Sequence, residues 1–390
     1  MGLADLGWDD DFATRFAPWA EKPHVRPGRV LIEFNHIYRV AVGPAKAGHN
    51  DDGRSVRLQP DDDDGRSVRL QADLQEIEAT LAGRLKHHAA SRADLPAVGD
   101  WVAVRIRQGE EGAAIVGVVP RRTKFSRRMA GDVTGEQVVA ANVDLVFIVT
   151  ALDHDFSVRR IERYLLMTRE SGAAPVILLT KPDLCDDVAA RVTEVVVACG
   201  DAPVHVVNPK SGDGLEPVAG YLTAGRTGAL LGSSGVGKST IINCLVGSDV
   251  QKTREVREED SKGRHTTTHR ELVRLPGGGL LIDTPGMREL QLWDVGEGMR
   301  ETFDDIEALA QGCRFGDCKH RDEPRCAVKQ AVADGTLSQD RYDSYHKLQQ
   351  EMAYLERQQD ERSQIDEKRR SKVITKAANK HIRTKRGPGA

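Results

Sequence analysis

The chain has 390 residues, 39% of them hydrophobic and 29% charged. At about 150 residues per domain that gives two or three domains, enough to bury a core without disulfide support. No apolar run reaches the roughly 18 residues of a membrane-spanning helix, and the acidic start Met1–Asp11 lacks the basic-then-apolar pattern of a secretion signal, so a cytoplasmic protein with no membrane partner is expected. The net charge of −3 conceals segregation: residues 51–73 carry seven Asp and four Arg, whereas residues 368–390 carry nine Lys or Arg and no acid. A terminal basic block of this kind is solvated and suited to nucleic acid.

Residues 1–27, with Trp8, Pro18 and Trp19, show little periodicity and read as an extension packed on another element. Short Val- and Ile-rich runs at 29–34, 37–42, 101–106 and 114–119, separated by turn residues, predict a small β-barrel. DDGRSVRLQ occurs at 51–59 and again at 63–71, a tandem duplication in an acidic surface loop. Residues 74–87 are ambiguous: Leu74, Ile77, Leu81 and Leu85 are helix-spaced, yet the stretch also suits a barrel strand. From Val143 the pattern changes. VDLVFIVTAL, PVILLT, PVHVV, GALLG and GLLID are apolar strand-like runs, alternating with helical segments at 158–171, 186–199 and 238–246. Such alternation predicts a mostly parallel sheet with helices on both faces. Residues 299–350 read as helical around a Cys/His knot, and 351–370 as a Gln-, Glu- and Arg-rich helix.

GSSGVGKS at 232–239 fits the phosphate-binding loop G-x-x-x-x-G-K-S. Gly232, Gly235 and Gly237, with Ser233, Ser234 and Val236 between them, let backbone N–H groups turn inward on phosphate oxygens. Lys238 reaches the β- and γ-phosphates, Ser239 offers a hydroxyl to Mg²⁺, and Thr240 continues into the helix whose positive end faces the phosphates. DTPG at 283–286 follows an apolar strand, where Asp283 holds Mg²⁺ through water and the Gly286 N–H meets a γ-phosphate. TKPD at 180–183 also ends a strand, so Thr180, Lys181, Pro182 and Asp183 form the base-recognition turn. Asp183 accepts from the N1–H and amine of guanine, which adenine does not offer. The order is base loop, phosphate loop, DxxG, a circular permutation of the usual GTPase order.

In that order, and in VGDWV at 98–102, PRRTKFSRR at 120–128, GRHTTTHREL at 263–272 and DTPGMREL, the chain resembles the RsgA (YjeQ/YloQ) small-subunit biogenesis GTPases from about Gly28 to Gln350. The resemblance implies an α/β circularly permuted P-loop GTPase domain with an N-terminal OB-type β-barrel and a C-terminal α-helical zinc-binding domain. We place these at 126–298, 28–125 and 299–350, after an extension at 1–27 and before a tail at 351–390. It also implies GTP/GDP with Mg²⁺ as cofactor, and GTP hydrolysis stimulated by the small ribosomal subunit during its late assembly. The competing readings are a P-loop ATPase and an rRNA-binding module whose nucleotide is structural. Thr180 stands where the family has Asn, which weakens one polar contact near the base edge. The family's Ser-Ala element falls on Asn208-Pro209, and Pro209 has no N–H, leaving Lys210 to supply the backbone contact to guanine.

Met287 occupies the position where many GTPases carry the water-orienting Gln. His265 is therefore the candidate catalytic residue, with His269 the alternative, since imidazole titrates near neutral pH. Thr266, Thr267 and Thr268 compete as Mg²⁺ ligand, with Thr267 preferred. Cys313-x4-Cys318-x-His320-x5-Cys326 suits one structural tetrahedral Zn²⁺. Cys185, Cys199 and Cys244 read as core thiols. Five basic residues around Phe125 at 121–128, the barrel and the tail make rRNA the expected partner of a monomer.

Overall fold

The computed structural model describes residues 2–34, 36–43, 74–106, 112–128, 136–247, 270–283, 297–354 and 357, with Asp283, Arg127, Arg128 and Glu297 described by backbone alone. The 51–71 duplication, the 368–390 tail, His265 to His269, Gly286 and Met287 lie outside the described residues. The described chain divides into two compact units, one drawn from residues 2–127 and 136–283 and one from residue 128 with 297–357.

In the first unit β1 (Val25–Phe34), β2 (Ile37–Val42), β3 (Gln75–Leu81), β4 (Trp101–Ile106) and β5 (Ala113–Val118) run in the order β1-β2-β3-β5-β4, and β4 closes on β1. The β3–β5 pair is parallel and the other barrel pairs antiparallel. Val30, Tyr38, Val40, Val102, Val104 and Ile115 fill the interior with essentially no exposure. The ambiguous stretch resolves into both forms: β3 occupies Gln75–Leu81, and only α2 (Gly83–His88) is helical. Its helix spacing is overridden because a strand there completes the ladder with β2 from Ile37↔Thr80 to Val42↔Gln75.

The same hydrogen-bonded sheet continues from β1 into β8 (Leu145–Ala151), β9 (Ala174–Thr180), β10 (Val204–Val207), β11 (Thr227–Leu231), β12 (Arg270–Arg274) and β13 (Leu280–Asp283), ordered β10-β9-β8-β11-β13-β12 with β12 on β1. All but β12 are parallel. Every residue of β8 and β11 is buried, as strands covered on both faces require. Helices α3 (Val158–Glu170) and α4 (Val188–Cys199) pack together, as do α5 (Leu215–Tyr221) and α6 (Lys238–Val246). From β8 the chain moves outward to β9 and β10; after β11 it moves the other way, to β13. The crevice beyond the carboxyl ends of β8 and β11 is thus the topological switch point, where such sheets bind ligands.

Helix α1 (Asp10–Ala20) is capped by Asp9, whose carboxylate accepts from the Phe12 N–H at 3.1 Å. Trp8 and Phe12 pack on the buried Trp101 with ring centroids 4.7 and 5.8 Å away. Beneath them Arg29 is fully buried. Its guanidinium donates to the carbonyls of Leu6, Gly99 and Asn142 and to Thr227 Oγ1, joining extension, barrel and β11. Burial pushes its pKa down to about 10, which leaves it protonated at neutral pH. A small ribbon of β6 (Lys124–Arg128) and β7 (Glu136–Ala141) precedes β8.

The second unit is helical: α7 (Glu297–Thr302), α8 (Asp304–Ala310), α9 (Ala327–Ala333) and α10 over 339–354. Phe303 is its buried centre, edge-on to Tyr345 at 5.4 Å, and Arg341 lies over its ring while pairing with Asp305.

Candidate active site and metal centre

The sharp turn from β11 into α6 is built on three glycines. Gly232 has φ 158°, and a Cβ there would stand 2.2 Å from the Val149 carbonyl oxygen, so nothing larger fits against β8. Gly235 (φ 75°) and Gly237 (φ 99°) take the left-handed region that a side chain resists. Lys238 folds back over this turn, donating to the Gly232 and Ser233 carbonyls at 2.8 and 2.5 Å. The ammonium therefore sits at the loop's mouth, where phosphate oxygens would compete for it. Ser233 Oγ accepts from Arg160 of α3 at 2.9 Å, and Asp155 holds the same guanidinium. Ser234, Gly235, Ser239 and Thr240 are exposed, and Val236 is buried.

Across the crevice, Lys181 is left-handed (φ 56°) and Pro182–Leu184 forms a 3₁₀ turn that leaves Asp183 exposed. Lys181 Nζ donates to Asp153 Oδ2 at 2.8 Å, and this hydrogen bond holds the Asp153 carboxyl below its ordinary range. Thr180 corrects the sequence reading. It is completely buried, and its hydroxyl donates not toward a base edge but to the Val236 carbonyl at 2.7 Å, with the Thr150 carbonyl at 3.3 Å. It thereby ties the base-recognition strand to the phosphate loop. The Lys210 alternative also changes, because the Lys210 N–H donates to Asn208 Oδ1 at 3.2 Å within its own turn. Cys244 is exposed rather than core, its thiol 3.2 Å from the Pro209 carbonyl; Cys185 is half-buried, and Cys199 is buried.

β13 runs parallel to β11 with Ala229 opposite Ile282, so Asp283 leaves the sheet on the edge from which the phosphate loop springs. Three separate chain segments thus converge on one crevice.

The 121–128 patch is largely committed to internal pairs. Arg121 chelates the buried Asp100 and two carbonyls, and Arg122 bonds Asp9 and Asp11 while lying 3.8 Å over Phe12. Lys124 pairs with Glu136 at 3.0 Å, and Phe125 is buried. These residues anchor the extension and the β6–β7 ribbon. Arg29, Arg121 and Arg122 carry no local sequence signal for those roles, since their partners lie far away in the chain, and Arg160 has Asp155 close by but Ser233 73 residues on.

In the second unit the ligand atoms of Cys313, Cys318, His320 and Cys326 all lie within 4.8 Å of one another. Cys313 Sγ stands 3.5 Å from His320 Nδ1 and 3.9 Å from Cys326 Sγ, which is 3.4 Å from the same nitrogen. A tetrahedron with metal–sulfur bonds of about 2.3 Å has edges of about 3.8 Å, so the spacing fits a four-coordinate soft cation. Burial keeps the His320 imidazole below its ordinary pKa, hence neutral, the ligating form. The Tyr342 hydroxyl donates to the His320 carbonyl and fixes that left-handed residue.

The sequence model of the RsgA GTPase family matches residues 118–293. A small ribosomal subunit biogenesis GTPase RsgA from Opitutus terrae is 48% identical, with 92% of each chain covered. The chain belongs to the RsgA GTPase family. A relative of the same name from Syntrophotalea carbinolica is 45% identical over the full length of both chains. Among solved structures, YloQ, described as a circularly permuted GTPase, matches with TM-score 0.55 and 25% identity over 87% of this chain and 98% of its own. YjeQ from Thermotoga maritima matches with TM-score 0.56 and 24% identity over 83% and 97%, a likeness of fold. The chain is thus a circularly permuted GTPase whose substrate is a guanine nucleotide, and the ATPase reading is set aside. Among the described residues, no helix is long and apolar enough to cross a membrane.

Proposed function

We propose that this GTPase binds the small ribosomal subunit through its rRNA late in maturation, as a cytoplasmic monomer, and that subunit-stimulated hydrolysis drives its release. The observation that carries the reading is the 48% identity, over 92% of each chain, to a relative named small ribosomal subunit biogenesis GTPase, together with a phosphate loop that the Thr180–Val236 bond ties to the base-side turn. The glycine turn offers backbone N–H groups to the phosphates, and Lys238 exchanges its two carbonyls for phosphate oxygens. Asp183 reads the guanine edge, and Lys181, held by Asp153, lies along the base plane. Ser239, Thr267 and Asp283 would hold Mg²⁺, which supplies charge neutralisation between the β- and γ-phosphates. The Gly286 N–H would meet the γ-phosphate, as the DxxG pattern implies.

Water positioning falls to His265, because Met287 has no group to orient water. Cys313, Cys318, His320 and Cys326 would hold one structural Zn²⁺, which would tie their segments together.

The test is GTP and ATP turnover with and without purified small subunits. Slow GTP turnover that subunits accelerate, with ATP inert, is the expected result. Turnover that assembled subunits leave unchanged would show instead an RNA-binding module whose nucleotide is structural.

A further inference from the structure

β12 is the edge strand of the GTPase sheet, and an open edge exposes a row of unpaired N–H and C=O groups. Here that edge is covered by the barrel's own β1. Ile32 pairs with Glu271 and Glu33 with Arg270, while on the far side Glu271 pairs with Asp283 and Leu272 with Ile282. Ile32, Glu271 and Asp283 therefore lie in one row across three strands, spanning about 10 Å at the usual strand spacing. β1 reaches this position through a bulge between Val30 and Ile32, which frees the strand from strict barrel geometry.

Among the described residues two pairs register β1 on β12. A charge pair reinforces them. Arg270 Nη1 stands 3.9 Å from Glu33 Oε2, with the two side chains only 13% and 23% exposed. Partial burial makes the loss of either charge costly to the other. β12 thus lies between β1 and β13, the strand that ends on Asp283.

We propose that Glu33 and Arg270 are a positioning pair for GTP hydrolysis: they lock the barrel strand to β12 and so set where Asp283 is presented to Mg²⁺. The barrel is thereby a mechanical part of the nucleotide switch as well as a binding module, and RNA engaged on it is felt at the metal. This rests on the assignment of Asp283 as the Mg²⁺-side carboxylate.

The test uses the full chain and labelled GDP. Dissociation is followed across a Mg²⁺ titration, and affinity is measured separately in EDTA. Glu33→Gln and Arg270→Gln should each raise the Mg²⁺ concentration that half-slows GDP release by about fivefold, the range expected for a coupling residue. EDTA affinity should stay near wild type, while the melting temperature falls because the remaining charge is left half-buried without its partner. The exchange Glu33→Arg with Arg270→Glu should restore the Mg²⁺ dependence. Unchanged Mg²⁺ dependence in Glu33→Gln overturns the proposal; so does loss of EDTA affinity and melting temperature together, which marks a merely structural pair. Asp283→Asn is run alongside. A shift there with none in Glu33→Gln overturns the coupling and leaves the Asp283 assignment standing. No shift in Asp283→Asn overturns the assignment itself.

Discussion

Replacing Thr180 by Val removes one hydroxyl and keeps the shape of a fully buried side chain. The hydroxyl donates to the Val236 carbonyl at 2.7 Å, and Val236 is itself 3% exposed, so no solvent is at hand to take its place. An orphaned buried carbonyl costs about 1–3 kcal/mol. The loop relieves that cost by shifting away from β9, toward solvent, which is away from the arrangement that holds phosphates. At about 1.4 kcal/mol per tenfold, GDP affinity should fall about 5- to 140-fold. Thr180→Ser retains the donor and should stay within about threefold, since only a methyl group is lost. Fluorescence titration of labelled GDP reads the effect, and thermal unfolding checks that the fold survives. Wild-type GDP affinity in Thr180→Val, with an intact fold, would refute the bracing role. A loss confined to GTP-over-ATP preference would return Thr180 to the base edge.

Two further outcomes follow from the same geometry. Arg29→Met keeps the aliphatic bulk but abandons three carbonyls and the Thr227 hydroxyl in the interior, so urea unfolding should show a loss of about 3–5 kcal/mol with an unchanged slope. Cys318→Ser should lower zinc content measured by elemental analysis and make residues 297–354 protease-sensitive while GDP affinity stays within about twofold, because the ligands belong to the second unit.

The parts of the site legible in the sequence are those whose chemistry is contiguous. The glycine turn at 232–239, TKPD and the Cys/His knot each place their interacting atoms within a few residues, so spacing alone constrains them. Strands buried on both faces were equally plain, since β8, β9 and β11 leave no room for polar alternation. Thr180 misled because its residue type was read against the base it follows, whereas its partner, Val236, lies 56 residues away. The 121–128 patch misled for the same reason. Arg121 and Arg122 read as free for nucleic acid until Asp100, Asp9 and Asp11 arrive from other segments.

The permuted order explains why such partners are distant. β11, which carries the phosphate loop, is flanked by β8 and β13, and β8 lies some eighty residues upstream. Placing β8 and β9 first means that the base-recognition turn is laid down before the loop it must brace. Side chains from the first half then have to register on the second, and Thr180 on Val236 and Arg160 on Ser233 do so. The same order leaves β12 as an edge strand, with the barrel's β1 preceding the whole sheet in sequence and available to cover it. Glycine and lysine spacing tells a reader that phosphate binds. Only the pairing of Ile32 with Glu271 and of Glu271 with Asp283 tells that a barrel strand and a metal-side carboxylate share one ladder, and no local pattern in either segment encodes it.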